Sequence, residues 1–365
     1  MAHQTATRLM TGNPWPHRTA WLLAVATFPL IWMGGLVTTY GAGMAVPDWP
    51  NTYGYNLFLY PLESWLAVWD VFLEHSHRLI GAAVGFITIA LAVLLWKLDE
   101  RRWMRWLGVA AIGGVLFQGT LGGLRVIGDE LLLAKVHGCT APLFFSLAVA
   151  LVVFTSPAWR TGGGQLPGGR RLAWWALAAT VGIWVQIVLG AQLRHIPPLA
   201  PLGWFVLWVW LHLIVAGLLL VGIITLVLLV RRQLGAAVEQ GSVAEPKRRE
   251  AGPDSPAGTA ARESIVQSDV RRIRRRAGWL LGLFSLQVVL GLATWVTNYG
   301  YPAWFTDYLM ALQYTVVAEG RLQAVTTTGH VGVGSLALVS ALTLTLWLFR
   351  SLSHAPSGSR RVRTR

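Results

Sequence analysis

Residues 204–230 read WFVLWVWLHLIVAGLLLVGIITLVLLV, an apolar run that contains no charged residue and one histidine, His212. A helix rises about 1.5 Å per residue, so roughly 20 apolar residues cross the ~30 Å hydrocarbon core of a bilayer. Seven further runs of this kind occupy residues 20–39, 71–95, 106–126, 131–154, 172–193, 277–297 and 322–349. The sequence therefore predicts an all-α integral membrane protein with eight transmembrane helices.

The basic residues are placed asymmetrically. The net charge of +14 would suggest a nucleic-acid partner in a soluble protein, but only 13% of the residues are charged, about half the ~25% usual for soluble domains. Of the 30 Lys and Arg residues, 25 lie in the two tails or in the loops after the second, fourth and sixth runs; the exceptions are Arg78, Arg125, Lys135, Arg194 and Arg321. This pattern follows the positive-inside rule and predicts cytoplasmic termini. We expect the basic stretch 271–276 to contact lipid headgroups rather than nucleic acid.

A hairpin of two helices repeats four times along the chain. The odd-numbered runs share a motif near their outer ends, which reads QGTLGGLR at 118–125, QIVLGAQLR at 186–194 and QVVLGLAT at 287–294. The first run has GGLVT at 34–38, a version without glutamine. Each motif is followed by an even-numbered run with one histidine, so we expect two pseudosymmetric four-helix bundles.

The predicted domain organisation follows from these repeats. It comprises a cytoplasmic tail (1–19), an N-terminal four-helix bundle (20–156), a cytoplasmic connector (157–171), a C-terminal four-helix bundle (172–349) and a basic cytoplasmic tail (350–365). Within the second bundle, residues 231–276 are rich in Ala, Gly, Glu, Ser and Arg and contain no aromatic residue. This composition predicts a disordered cytoplasmic loop.

Four intramembrane histidines are the candidate metal ligands: His77, His137, His212 and His330. Each lies six to eight residues past the start of an even-numbered run, which places it ~9–12 Å below the outer surface. A single intramembrane histidine can be a hydrogen-bonded packing residue. Four at one depth on equivalent helices favour iron ligation instead, because facing imidazoles of bundle helices commonly hold haem. We expect two haem sites side by side in the outer half of the membrane.

Glu74 lies three positions before His77, on the same helix face and nearer the outer surface. At the rim of a haem pocket, a carboxylate can act as an acid or a base, or stabilise developing positive charge. The alternative is a structural ion pair with Arg78 or another outer cation. Candidates for contacts with haem propionates, and equally with lipid phosphates, are Arg78, Arg125, Arg194 and Arg321.

The sequence resembles the haem A synthases of the respiratory-oxidase assembly pathway over almost the whole hydrophobic part of the chain. The resemblance rests on residues 34–50, GGLVTTYGAGMAVPDWP, which look like the first outer loop of that family, and on residues 74–78, EHSHR, which look like its Glu-x-x-His-Arg signature. The repeated Gln-x-x-Leu-Gly motifs and the single histidines of the even-numbered helices complete the match. The sequence departs from the family where Thr38-Thr-Tyr40 and His212-Leu213 replace Thr-Arg and His-Arg pairs, and where a loop cysteine pair is missing.

The resemblance implies that haem O is oxidised by successive hydroxylations, its methyl group becoming the formyl group of haem A. It implies that His212 and His330 ligate a haem b cofactor in the C-terminal bundle. His77 and His137 would then face the substrate haem in the N-terminal bundle, and Glu74 would serve the oxidation.

The partners and location implied are those of a membrane enzyme. Haem O synthase would be the functional partner that supplies the substrate, the electron donor or acceptor is not identified, and a homo-oligomer is left open. The chain would lie in the cell (inner) membrane with its haem sites toward the outer face. Two other function classes fit the histidines: a bis-histidine electron-transfer cytochrome b and a haem carrier.

Overall fold

A computed structural model of the chain describes residues 13–161, 169–197, 199–239, 256–302, 305 and 316–351, and within α6 and α7 it leaves out the side chains of 236–239 and 256–266. Over this part of the chain the secondary structure is helical apart from one isolated bridge between Thr52 and Tyr55. The long helices are α1 (Trp15–Thr39), α2 (Trp69–Leu98), α3 (Arg102–Gly128), α4 (Leu131–Thr155), α5 (Gly169–Arg194), α6 (Leu202–Glu239), α7 (Pro256–Tyr299) and α8 (Arg321–Arg350).

All eight long helices of the described residues contain a segment long and apolar enough to cross a membrane. This confirms the predicted helix count, and the chain is a multi-pass membrane protein. Consecutive spans alternate in direction, so the connections α1–α2, α3–α4, α5–α6 and α7–α8 share one end of the molecule, which we call the distal end. The opposite end, where α1 begins and α8 ends, is the proximal end.

Helix packing divides the spans into two rings of four. In the first ring α1 packs on α2 and α4, and α3 packs on the same two helices; α5 to α8 form an equivalent ring. The rings meet where α8 packs on α1 and α4, and where α4 packs on α5. Fully buried leucines such as Leu23, Leu91 and Leu151 fill the first core, and Leu172, Leu280 and others fill the second. The pseudosymmetry of the two rings stays a prediction.

The predicted disordered loop at 231–276 is wrong for much of its length. Helix α6 continues to Glu239 and α7 begins at Pro256, which leaves only 240–255 outside the described residues. This segment is polar overall, but Val270, Ile273 and Ala277 recur at helical spacing and are buried. They form an apolar stripe that packs against the rest of the protein. Likewise α1 begins at Trp15, inside the predicted tail.

A tryptophan of α8 supplies the partner for this proximal extension of α7. The guanidinium groups of Arg272 and Arg276 lie 4.4 and 5.1 Å from the centroid of the Trp347 ring. Arg272 also forms an ion pair with Asp269, at 2.5 Å. Two residues of the basic stretch that we expected at lipid headgroups therefore cover an aromatic surface, which favours the helix.

Candidate functional site

The four histidines form two pairs, each across the middle of one ring. His77 of α2 and His137 of α4 have ring centroids 6.4 Å apart, and His212 of α6 and His330 of α8 have centroids 6.3 Å apart. In each ring the two helices that carry histidines are diagonal to one another, so their imidazoles meet near the bundle axis. All four residues lie within eleven residues of the distal start of their helices.

A glycine of the preceding odd-numbered helix packs against each histidine ring. A Cβ atom added at that glycine would lie 3.0–3.3 Å from the Cε1 atom of the imidazole, which is tighter than ordinary van der Waals contact. The contacts are Gly34 with His77, Gly122 with His137, Gly190 with His212, and Gly291 with His330. The glycines of the repeated motif therefore have a specific purpose: they leave room for the histidine rings.

One helical turn before each of these glycines lies a glutamine, except in α1, which has Leu30. The Nε2 atom of Gln118 donates to Thr140 Oγ1 at 2.6 Å, and that of Gln186 donates to the His212 carbonyl at 2.8 Å. The Nε2 atom of Gln287 lies 3.5 Å from His330 Nε2. Its backbone carbonyl lies 3.1 Å from His330 Nδ1. Of these three amides, only that of Gln287 lies near a histidine ring. Those of Gln118 and Gln186 hold a hydroxyl and a backbone carbonyl of the helix that carries the histidine.

The distance between the two imidazoles of each pair suits a single metal ion whose remaining ligands come from a cofactor rather than from the protein. Two imidazoles that share an ion at metal–nitrogen distances of about 2 Å have ring centroids about 6 Å apart. Within the described residues no group of three or more His, Cys, Asp or Glu side chains could hold a metal ion. A bare zinc ion needs three or four protein ligands, whereas haem iron needs one or two.

Glu74 is buried and forms two contacts at the distal rim of the first pair. Its Oε2 accepts from the Val46 backbone N–H at 2.8 Å, and its Oε1 accepts from Arg78 Nη2 at 2.7 Å. Arg78 in turn donates to the backbone carbonyls of Val46, Asp48 and Asn51. The ion pair that the sequence left open as an alternative is therefore present, and it fastens the distal loop to α2.

Residues 42–52 of this loop cover the distal end of α3. The Trp49 indole lies against Gly123, where an added Cβ would be 2.3 Å from the ring. In the same way, the Arg125 guanidinium lies against Gly43, where an added Cβ would be 1.9 Å from Nη2. The first histidine pair thus has a fitted cover, which depends on two glycines.

His75 lies outside the histidine pair. It is buried, with its Nδ1 atom 3.0 Å from Thr52 Oγ1 and its ring packed on Tyr60 and Trp65. Trp65 Nε1 also donates to Ser76 Oγ at 3.1 Å. These contacts anchor the remainder of the loop to α2.

The four candidate arginines differ in their surroundings. Both terminal nitrogens of Arg78 donate to the loop and Glu74, whereas Arg321 is exposed and its side chain forms no hydrogen bond or ion pair with a described residue. Arg194 donates from Nη2 to Gly35 O at 2.7 Å and to Thr39 Oγ1 at 2.8 Å, both in α1. Of the four, Arg78 and Arg125 contact the distal loop, Arg194 contacts α1, and Arg321 is exposed.

Comparison with known proteins gives a consistent family. The family model described as "Cytochrome oxidase assembly protein" (COX15-CtaA) matches residues 17–200, half of the chain. The protein named "Heme A synthase" from Shouchella clausii is 32% identical over 121 residues, which cover 32% of this chain and 38% of the relative. The proteins of the same name from Beijerinckia indica and Lysinibacillus sphaericus are 26% and 28% identical, over 47% and 48% of this chain and 55% and 57% of theirs. The chain spans about half the length of the curated relatives it matches.

Proposed function

Since this chain belongs to the COX15-CtaA family of cytochrome oxidase assembly proteins, we propose that it acts as a haem A synthase, a membrane oxidoreductase that converts the methyl group of haem O to the formyl group of haem A. The proposal is supported chiefly by the two histidine pairs, each with a spacing that suits one haem iron and no third protein ligand. Two successive hydroxylations, each a two-electron oxidation of the carbon, would take the methyl group to a hydroxymethyl group and then to a geminal diol, which loses water to give the aldehyde. Molecular oxygen or an electron acceptor in the membrane would be the oxidant.

We assign different functions to the two pairs. His77 and His137 would face the substrate haem, and His212 and His330 would hold a haem b cofactor, which when bound supplies one-electron chemistry. Two features of the chain support this difference. The second pair has an amide, that of Gln287, beside the His330 ring, and the first pair has the fitted cover at residues 42–52. An imidazole with a polar side chain beside it is held in one orientation, which suits the ligand of a resident cofactor.

Glu74 would act at the first pair as a carboxylate whose negative charge stabilises positive charge that develops near the substrate. It is only 3% exposed, and its ion pair with Arg78 holds the loop that excludes water from the site. The carboxylate contacts the loop and lies at the rim of the reaction site. The position of its negative charge therefore depends on the position of the loop.

The reaction would need partners in the membrane. Haem O synthase would supply the substrate, and an electron donor or acceptor would exchange electrons at the second pair. The distribution of basic residues supports an orientation with both termini in the cytoplasm and both histidine pairs in the outer half of the cell membrane.

Co-expression with a haem O synthase tests the proposal directly. Under aerobic conditions, haems extracted from the purified protein should include haem A or its hydroxylated precursor, identified by mass. The matched control is a His77→Ala, His137→Ala double variant, which should contain haem b but no oxidised product. If the unaltered protein contained haem b and haem O but no oxidised derivative of haem O, the synthase activity would be refuted. That result would favour an electron-transfer or carrier function.

A further inference from the structure

Three arginines of α7 and α8 lie on two tryptophan rings at the proximal end of the molecule. The guanidinium groups of Arg272 and Arg276 lie 4.4 and 5.1 Å from the centroid of the Trp347 ring. That of Arg350, three residues past Trp347 on α8, lies 4.7 Å from the centroid of the Trp159 ring. The two indole rings pack edge to face, with centroids 5.3 Å apart. We call these five residues the proximal arginine cluster.

The cluster lies where the two rings of helices are joined. Trp159 belongs to the short helix Pro157–Thr161, which directly follows α4 of the first ring. It also packs on Phe154 of α4, with ring centroids 5.0 Å apart. Trp347 belongs to α8 of the second ring. A ligand held by this cluster would therefore contact both halves of the molecule.

One carboxylate acts on all three guanidinium groups. Asp269 forms an ion pair with Arg272 at 2.5 Å, and its charge also acts on Arg276 and Arg350. The positive charges of Arg272 and Arg275 act on Arg276 in the opposite sense. Because one carboxylate cannot neutralise three guanidinium groups, the cluster keeps a net positive charge.

Two buried donors of the cluster have no hydrogen-bond acceptor within the described residues. They are Nη1 of Arg276 and Nε1 of Trp347, a residue that is only 3% exposed. Both nitrogens carry hydrogen and can only donate. A buried donor costs free energy unless an acceptor pairs with it. Net positive charge and two unpaired donors on neighbouring side chains together favour an anion with oxygen acceptors.

The position of the cluster favours a phospholipid as the source of this anion. The cluster lies at the proximal ends of the apolar spans Gln267–Tyr299 and Arg321–Arg350, and lipid headgroups surround the ends of such spans. Trp279 lies three residues further into α7 than Arg276, on the same helix face, and is 64% exposed. It offers an apolar surface to an acyl chain next to the donors for a phosphate.

We propose that the proximal arginine cluster binds the headgroup phosphate of one anionic phospholipid. Arg276 and the indole N–H of Trp347 donate to the phosphate oxygens, and Arg272 and Arg350 supply flanking positive charge. The sequence predicted only a general attraction of residues 271–276 to headgroups, whereas the cluster is a defined site built from α7 and α8. The bound lipid would stabilise the junction of the two rings. This inference goes beyond the proposed haem chemistry and does not depend on it.

Short-chain lipids test the site on the full-length protein in detergent. Dioctanoyl phosphatidylglycerol is anionic and dioctanoyl phosphatidylcholine is zwitterionic, while their acyl chains are the same. Native mass spectrometry counts the lipid molecules that stay bound during a titration. At physiological ionic strength, we expect one phosphatidylglycerol molecule to bind at least about tenfold more tightly than phosphatidylcholine. An excess of inorganic phosphate should not displace it.

Two variants remove different parts of the site. An Arg276→Gln, Arg350→Gln double variant should bind both lipids about equally, and it leaves the ion pair between Asp269 and Arg272 in place. Trp347→Phe keeps an aromatic ring under the arginines but removes the Nε1 donor. It should weaken phosphatidylglycerol binding by about fivefold and leave phosphatidylcholine binding unchanged. This single-donor variant carries the test if the double variant fails to fold.

The matched control is an Arg274→Gln, Arg275→Gln double variant, which removes the same charge from two exposed residues of α7. It should keep most of the preference for phosphatidylglycerol. An equal loss in both double variants would show a general attraction to basic residues and would overturn the defined site. A preference that survives in Arg276→Gln, Arg350→Gln would overturn it as well. Displacement of the lipid by inorganic phosphate would assign the cluster to free phosphate instead.

Discussion

Three glycines of α3 provide a graded test of the fitted cover and of the histidine contact. A Cβ added at Gly119 meets open space, one at Gly122 lies 3.3 Å from His137, and one at Gly123 lies 2.3 Å from the Trp49 indole. Alanine substitutions at the three positions introduce the same methyl group into one helix. Differences in stability among the three variants therefore report on the side chains that each added methyl group meets, and not on the helix propensity of alanine.

The magnitudes follow from the contacts. Replacing glycine by alanine inside a helix gains up to about 1 kcal/mol, so Gly119→Ala should be slightly stabilising. In Gly123→Ala the indole of Trp49 must leave its place. Trp49 is 38% exposed, so it loses contacts over roughly 100–150 Å², or about 3 kcal/mol at ~25 cal/mol per Å². After the helical gain is subtracted, Gly123→Ala should destabilise the protein by about 2 kcal/mol.

The single cysteine makes the measurement simple. Cys139 is buried in α4, two residues past His137, so a thiol-reactive fluorophore reports thermal unfolding of the first ring. We expect the melting temperature to rise slightly for Gly119→Ala and to fall by several degrees for Gly123→Ala. Gly122→Ala should melt near the unaltered protein but bind haem less well, because the His137 ring must shift by a few tenths of an ångström. Equal melting temperatures for Gly119→Ala and Gly123→Ala would refute the packing of Trp49 on α3.

Three further substitutions test other parts of the structure. Glu74→Gln should abolish product formation while haem b stays bound, measured by mass and by absorption spectrum; loss of haem b would show that Glu74 is structural. Asp99→Asn leaves two arginine partners unpaired, one of them Arg101, and should lower the free energy of unfolding by about 3 kcal/mol. Burial alone would raise the pKa of Asp99, but the hydrogen bonds and charge of Arg101, then those of the second arginine, outweigh it and lower the pKa. The pair's stabilisation is therefore complete above the ordinary carboxyl pKa and is lost as the pH falls through the lowered one. Melting temperature should drop on acidification in the unaltered protein and vary less in Asp99→Asn. Trp347→Leu removes the ring under Arg272 and should speed hydrogen exchange in residues 267–276, where an unchanged rate would count against the contact.

Much of the architecture could be predicted because bilayer thickness restricts helix length so strongly. The helix count followed from apolar runs alone, and the placement of each histidine in the first eleven residues of its helix followed from its distance to the start of a run. The contacts of Glu74 could not be predicted in the same way. Its partner Val46 is 28 positions away, and the path of the intervening loop depends on where Trp49 and Arg125 pack.

The contacts between glycines and histidine rings could be predicted only in part. A glutamine followed four residues later by glycine at 118, 186 and 287 is visible in the sequence, but small residues in membrane helices most often serve close helix packing. Only the structure shows that each glycine faces a histidine ring. The proximal end of α7 was missed for the opposite reason, because its apolar stripe is sparse and gains its partner, Trp347, from the far end of the chain.

The length of α7 has a practical consequence. Its 44 residues extend about 66 Å, more than twice the ~30 Å hydrocarbon core. A small membrane protein buried in a detergent belt offers few features by which single-particle images can be aligned. Among the described residues, α7 extends past the length of a membrane span at the proximal end, beside the extended end of α6. An antibody fragment raised against that projection would give each image an unambiguous top and bottom, and would leave both histidine pairs, at the opposite end, undisturbed.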